Sequence, residues 1–333
     1  LSKCIRLKAA FNHLHIFIDP NPEDLNASWE ERKRLFDTPR TGWTDYAPEL
    51  ISKGGGVFSR NAKSIDLTPE IKAFLNVEND TLTPQQLMQA ILKAKADLLW
   101  FGGIGTYVKS SEESHMDVGD KANDLIRVNA KELNIRVIGE GANLGVTQRG
   151  RIAFSKLGGR INSDAIDNSA GVDSSDHEVN IKILLKNAIN SGVLAEADRN
   201  SLLASMTDDV AKLVLIHNYD QTQALSIAEA SAFADLDSHE RLMERLEAAG
   251  ILDREVEVLP KPEEVRNRKA QGEGLTRPEL AVLLAYAKIT LFNEIIDSSI
   301  PDEAFLEKEA ITYFPAGVKS SWLVVPSLKN IHV

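Results

Sequence analysis

The chain has 333 residues, of which 43% are hydrophobic and 26% charged, enough apolar material for two ordinary domains with real cores. Its net charge of −11 argues against a nucleic-acid partner, whose phosphates need a basic stripe, and no run of about 18 apolar residues offers a membrane span. A single cysteine, Cys4, excludes a disulfide framework and fits a reducing compartment, and no Cys/His pattern has metal-ligand spacing, so no metal is expected.

The chain opens Leu1-Ser2-Lys3, with neither an initiator Met nor a signal-peptide pattern. It enters directly into Ile5, Leu7, Ala9, Ala10 and Phe11, which read as the end of a helix. The expectation is a chain that begins inside a domain, with a processed N-terminus as the alternative. Leu14 to Ile18 is a short β-branched and aromatic run, turned by Asp19-Pro20-Asn21-Pro22, and reads as a buried strand. Ser28 and Glu31 have capping-box spacing and predict a helix carrying Trp29, Leu35 and Phe36. After the break at Gly54-Gly55-Gly56, Thr68-Pro69 and Thr83-Pro84-Gln85-Gln86 predict helix starts with Pro at the first helical position.

Ala96 to Phe101 predicts a strand that ends at Gly102-Gly103-Ile104-Gly105-Thr106. Ala122, Leu125, Ile126, Ala130 and Leu133, three and four apart, predict a helix. Ile135 to Ile138 predicts the next strand, ending at Gly139-Glu140-Gly141-Ala142-Asn143. Strand, helix and strand with glycines at the strand ends is the grammar of a parallel α/β sheet, whose ligands bind at the carboxyl ends of the strands. From Glu178 onward the pattern is helical, and no strand is expected after about Asn168. Thr276-Arg277-Pro278-Glu279 is a capping box that opens a helix through Leu280, Leu283, Leu284, Ala287 and Leu291. The fold class expected is α/β, a partial Rossmann-like parallel sheet followed by a mainly α-helical region.

Three motifs carry candidate chemistry. Asp19 at a strand end reads equally as the acid that accepts ribose hydroxyls in a dinucleotide fold and as a turn-forming Asp before Pro20. Gly139-x-Gly141-x-x-x-Gly145 has the look of a phosphate loop, but Val146 to Gly150 does not read as the helix start that would hold a pyrophosphate. The polar stretch Asn168 to Glu178 leads into a helix that Ser174, Ser175 and Asp176 are placed to cap, either as a cap alone or as a seat for an anionic group. His177 and Glu178 face apart on a helix and make no metal pair.

Longer blocks carry a resemblance. His15-Ile16-Phe17-Ile18-Asp19-Pro20-Asn21-Pro22, Gly54-Gly55-Gly56-Val57-Phe58, Trp100 to Tyr107, Glu140-Gly141-Ala142-Asn143-Leu144-Gly145 and Gly274 to Leu283 resemble the large NAD-specific glutamate dehydrogenases of bacteria. The resemblance runs to about Trp322. It implies oxidative deamination of L-glutamate to 2-oxoglutarate and ammonium, with hydride transfer to NAD. It also implies that the phosphate loop and the catalytic Lys and Asp lie before Leu1, so that no catalytic residue is expected here and the isolated chain is expected to be inactive.

By the same resemblance, Asp19, Gly102, Gly103, Ile104, Gly105, Thr106 and Asn143 take the cofactor, and Asn168, Val172 and Ser175 face the substrate. The domains that follow are residues 1–176, the later part of an NAD-binding domain, residues 177–322, a helical C-terminal region, and residues 323–333, an unplaced tail. The protein is expected to be a cytoplasmic homo-oligomer. Two alternatives stand beside this: a helical assembly or regulatory module of such an enzyme, and a related amino-acid dehydrogenase with another side-chain specificity.

Overall fold

Asn12 reverses the chain at once: its side-chain oxygen accepts from the backbone N–H groups of Leu14 and His15, each at 2.8 Å. Residues Ala9–Phe11 are therefore a strand, β1, and not the end of a helix; they pair antiparallel with β2 (His15–Ile18). The computed structural model describes residues 2–318, and the chain divides into two compact units at Ile161/Asn162. The tail Leu323 to Val333 lies outside the described residues.

In the first unit, helix α1 (Leu25–Asp37) begins earlier than the Ser28/Glu31 spacing predicts. Asp24 caps it by accepting from the Ala27 N–H at 2.9 Å. Ser28 and Glu31 are buried inside the helix, and Glu31 instead pairs with Arg34 at 2.6 Å and accepts from the Ala47 N–H at 2.7 Å. The bond from Arg34 holds the Glu31 carboxyl below its usual range. Strand β3 (Gly56–Ser59) pairs antiparallel with β2, and β4 (Ile65–Asp66) with β5 (Thr81–Leu82). Helices α2 (Pro69–Leu75) and α3 (Pro84–Lys93) start where the Thr-Pro pairs predict, with Thr68 and Thr83 as caps.

The expected strand is β6 (Ala96–Phe101); then come β7 (Val108–Lys109), a single-turn helix α4 (His115–Val118), β8 (Val128–Asn129) and β9 (Ile135–Glu140). The helix predicted across Ala122 to Leu133 does not form. Two short 3₁₀ turns, Lys121–Asn123 and Ala130–Glu132, flank β8, which pairs parallel with β7. The cause is the buried Arg127, whose guanidinium reaches the Thr106 carbonyl at 2.8 Å, Asp124 at 2.6 Å and the Asp120 carbonyl. Asp and Asn side chains in this stretch offer the backbone alternatives to a helix. Strands β6 and β9 pair parallel. The observed class is mixed α/β, with parallel pairing confined to β6–β9 and β7–β8 among the named strands and antiparallel pairing elsewhere. Ile18, Ile71, Leu87, Met88, Val108 and Ile138 sit in one apolar core beneath these strands. Helix α5 (Gln148–Lys156) closes the unit.

The second unit is helical: α6 (Asp164–Asp167), α7 (Ser169–Asn190), α8 (Arg199–Ser205), α9 (Thr207–Ala230), α10 (Leu236–Ala248), α11 (Pro262–Gln271), α12 (Arg277–Ile296) and α13 (Glu307–Tyr313). No strand follows Glu140 among the described residues. Ser174, Ser175 and Asp176 are inside α7, not its caps. The Asn218 side chain on α9 holds the Ile166 carbonyl and Ser169 Oγ at 3.1 and 3.0 Å, and Ser174 Oγ donates back to the Ala170 carbonyl at 2.6 Å. Two apolar clusters fill the unit, one around Ile166, Leu225, Leu236 and Leu280, the other around Ile181, Leu184, Leu185 and Met206. No helix among the described residues is long and apolar enough to cross a membrane.

The predicted capping box of α12 is present and does more than cap. The Glu279 carboxylate accepts from the Thr276 N–H and hydroxyl, both at 2.7 Å, and from Arg268 on α11 through two bonds of 2.8 Å. Both charged side chains are buried. Removing one partner leaves an uncompensated buried charge, a loss of about 3–5 kcal/mol. Glu279→Ala is therefore expected to lower the stability of this unit by that amount in urea denaturation followed by circular dichroism. Glu263→Ala on the exposed first turn of α11 is expected to change it by less than about 0.5 kcal/mol.

Candidate functional site

The register of the parallel pair sets Phe101 opposite Glu140, so β6 and β9 end level and the loops that follow them leave side by side. Backbone bonds tie those loops together: the N–H groups of Tyr107 and Val108 both donate to the Gly145 carbonyl, at 2.9 and 3.3 Å, and the Thr147 N–H donates to the Val108 carbonyl at 3.0 Å. The Gly102 to Thr106 loop and Asn143, assigned to one site by sequence, thus lie on adjoining loops at the carboxyl ends of neighbouring parallel strands.

The base of these loops is a buried ion pair. Glu140, fully buried, receives Arg151 Nε at 2.7 Å and Nη2 at 2.9 Å, and its Oε1 also accepts from the Val146 N–H at 3.1 Å. One carboxylate therefore fixes the strand end, the return of the 141–146 loop and helix α5 together. On the other side, the Thr106 N–H donates to Asp120 at 2.9 Å and the Thr106 carbonyl accepts from Arg127. Burial works against the Asp120 carboxylate, but bonds from the Thr106 N–H and Asn123 and the charge of Arg127 outweigh it and hold the group below its usual range.

Above this rigid base is an exposed lip. Gly102, Gly103 and Asn143 are exposed, and Ile104 is 94% exposed. Leu144 is held at φ +57°, a conformation that a branched side chain disfavours. Gly141 and Gly145 are explained by packing. A Cβ on Gly141 would meet the Trp100 ring at 2.4 Å, and one on Gly145 the Phe101 ring at 2.7 Å.

A helix does begin after Gly145, contrary to the sequence reading. Thr147 caps α5 by accepting from the Gly150 N–H at 2.9 Å. Charge nonetheless disfavours a phosphate here: Glu113 accepts from the Thr147 hydroxyl at 2.6 Å and Glu140 from the Val146 N–H, so carboxylates already occupy that helix start.

Asp19 directly follows β2, whose sheet is antiparallel, and neither β6 nor β9 pairs with that strand. The Asp19 carboxyl is 2% exposed and is held by Ser52, through the backbone N–H at 3.2 Å and a hydroxyl bond. Asn168, Val172 and Ser175 belong to the second unit, spaced along one side of the start of α7, with Val172 67% exposed and Ser175 exposed as well.

Two groups escaped the sequence reading. One is the Glu140–Arg151 pair, whose partners lie on different elements. The other is Asp173, His177 and His217, whose ligand atoms lie within 4.8 Å of one another across α7 and α9. The four-residue spacing of Asp173 and His177 was legible; the arrival of His217 from another helix was not.

Residues 1–228 match the family model described as bacterial NAD-glutamate dehydrogenase, catalytic domain, and residues 272–323 match glutamate dehydrogenase, C-terminal. The chain is 54% identical over 316 residues to an NAD-specific glutamate dehydrogenase of Pseudomonas aeruginosa, covering 95% of this chain and 19% of that protein. It is 53% identical to one of Halomonas elongata, covering 95% of this chain and 20% of the relative. For one of Mycobacterium tuberculosis the identity is 48%, covering 96% of this chain and again 20% of the relative. The chain spans about a fifth of the length of these curated relatives. With a family model matched over most of its length, the chain belongs to the bacterial NAD-glutamate dehydrogenase family.

Proposed function

We propose that this chain is the part of an NAD-dependent glutamate dehydrogenase that holds the nicotinamide side of the cofactor and one wall of the glutamate site. The observation that carries the reading is the level ending of β6 and β9, with the two loops bonded to each other over the Glu140–Arg151 pair. Ligands of open parallel sheets bind at such carboxyl ends, and we read the segment as the later part of a Rossmann-like domain on that basis. In the whole protein NAD would accept the hydride that leaves the α-carbon of glutamate.

Within this chain, the bare backbone of Gly102 and Gly103 permits close approach to a ribose or amide, and Ile104 supplies an exposed apolar surface for a ring. The Asn143 amide, able to donate and to accept, suits the nicotinamide carboxamide or its ribose. Asp19 is proposed to take the adenosine ribose; Ser52, which holds its carboxylate, would then share it. Asn168, Val172 and Ser175 are proposed to face the glutamate side chain. A cytoplasmic homo-oligomer is the assembly proposed, supported by the exposed apolar residues Leu215, Ile216, Tyr219 and Ile227 along α9.

In the full-length protein, Asp19→Ser is expected to narrow the preference for NAD over NADP by about tenfold, the ratio that about 1.4 kcal/mol supports. Steady-state kinetics with both cofactors checks it. A lower melting temperature with an unchanged preference would assign Asp19 to its Ser52 anchor alone. Asn143→Ala is expected to cut kcat/KM for NAD by about two- to tenfold, the worth of one neutral hydrogen bond, roughly 0.5–1.5 kcal/mol. Wild-type kinetics would reduce Asn143 to a turn residue.

The chain by itself is expected not to oxidise glutamate. Proton transfer by a positioned side chain contributes about 10²- to 10⁴-fold, and the resemblance puts the Lys and Asp for that task outside these residues. Purified chain with millimolar glutamate and NAD, followed by NADH absorbance, tests this. Turnover near that of an intact dehydrogenase would mean that the catalytic residues lie among the 333 residues of this chain.

A further inference from the structure

The packing of α7 against α9 changes character along its length. At one end Ile166 on the preceding α6 and Leu225 on α9 belong to one apolar cluster, and at the other Ile181 and Leu184 on α7 and Met206 at the start of α9 belong to a second. Between them the two helices meet through Asp173, His177 and His217. His177 is fully buried, and neither of its ring nitrogens has a hydrogen-bond partner. A buried imidazole left in that state is costly, and native structures seldom keep one without a reason. Its Nε2 lies 3.7 Å from one Asp173 oxygen, while the other oxygen lies 2.9 Å from Nδ1 of His217. The two imidazole rings are parallel, 5.5 Å apart, and the far face of His177 is stacked on Tyr313 at 4.5 Å, which fixes its plane. Tyr313 is in turn held by Asn180 at 2.8 Å.

We propose that Asp173, His177 and His217 form a binding site for a divalent transition metal of the zinc class, which clamps α7 to α9. Two imidazoles and one carboxylate are the donor set that zinc and its neighbours take, whereas magnesium and calcium seek oxygen alone. Ligand atoms around tetrahedral zinc lie about 3.3 Å apart, given bonds of roughly 2.0–2.2 Å. The three donors here, all within 4.8 Å, reach that spacing by side-chain rotation of the partly exposed Asp173 and His217. Three protein ligands leave a fourth position, and the exposed flank of the site on the His217 side lets water fill it. The clamp is independent of the cofactor reading, since its residues lie in the helical unit and none of them belongs to the strand-end loops.

The test uses the untagged 333-residue chain, stripped with a chelator and titrated with Co²⁺ and then Zn²⁺. The expected result is one equivalent of Co²⁺ with the visible absorption of a four- or five-coordinate nitrogen–oxygen site, displaced by Zn²⁺, and a rise in melting temperature on Zn²⁺ addition. His217→Gln and Asp173→Asn, both at partly exposed positions, are expected to weaken binding by about 100-fold or more, beyond the ten- to hundredfold that loss of an outer-sphere partner costs. His13→Gln, on the exposed β1–β2 turn, is expected to leave it unchanged. Absence of the Co²⁺ spectrum in the wild-type chain overturns the proposal. So does a wild-type isotherm that both His217→Gln and Asp173→Asn reproduce, which would assign the three residues to a hydrogen-bonded seam without metal.

Discussion

The Glu140–Arg151 pair is the interaction on which the strand-end site depends. Two charges are withdrawn from water there, and their desolvation is offset only because the guanidinium meets the carboxylate through two bonds and the Val146 N–H supplies a third. The three residues belong to different parts of the local chain: Glu140 to the end of β9, Val146 to the return of the loop and Arg151 to α5. The same residues that make the pair therefore set the height at which the 141–145 loop leaves the sheet. An apolar pair of the same size would fill the space but would not fix direction, because apolar contacts lack the geometry of a forked hydrogen bond.

The same logic recurs around Arg127 and Arg268. Arg127 takes the place of a whole predicted helix. It gathers the carbonyls of Thr106 and Asp120 and the carboxylate of Asp124, and so converts the segment between β7 and β9 into turns around a short strand. Arg268 joins α11 to the capping residue of α12, so that the start of one helix is also an anchor for another. In each case a buried guanidinium ties together backbone or side chains from separate elements. An arginine suits this role because its donors are planar and fixed, and its charge is not lost on burial.

The second unit shows the complementary situation. Its apolar clusters are separated by a polar stretch of the α7–α9 seam, where Asn218 binds Ser169 and the Asp173–His177–His217 group follows a turn later. The exposed side of the same helix carries Val172 and Ser175. One helix thus presents a candidate ligand surface outward while a different set of polar residues holds it in place from behind.

Local chemistry made much of this legible. Thr68-Pro69, Thr83-Pro84 and Thr276-Arg277-Pro278-Glu279 start helices where their spacing says, because a hydroxyl cap and a preset proline φ act within one turn. The strands at Ala96 and Ile135, and the glycines that end them, were equally readable, since a short apolar run closed by glycine needs no distant partner to be recognised. The tertiary structure alone decided the rest. It made Ala9–Phe11 a strand through the Asn12 turn, moved the cap of α1 to Asp24, and replaced the helix across Ala122 to Leu133 by turns around Arg127. It also gave Asp19 a partner in Ser52 and brought His217 to Asp173 and His177. Each of these outcomes turns on a bond between residues that are distant in the chain, or on which of two nearby polar groups reaches the backbone first, and a period of apolar residues carries no record of either.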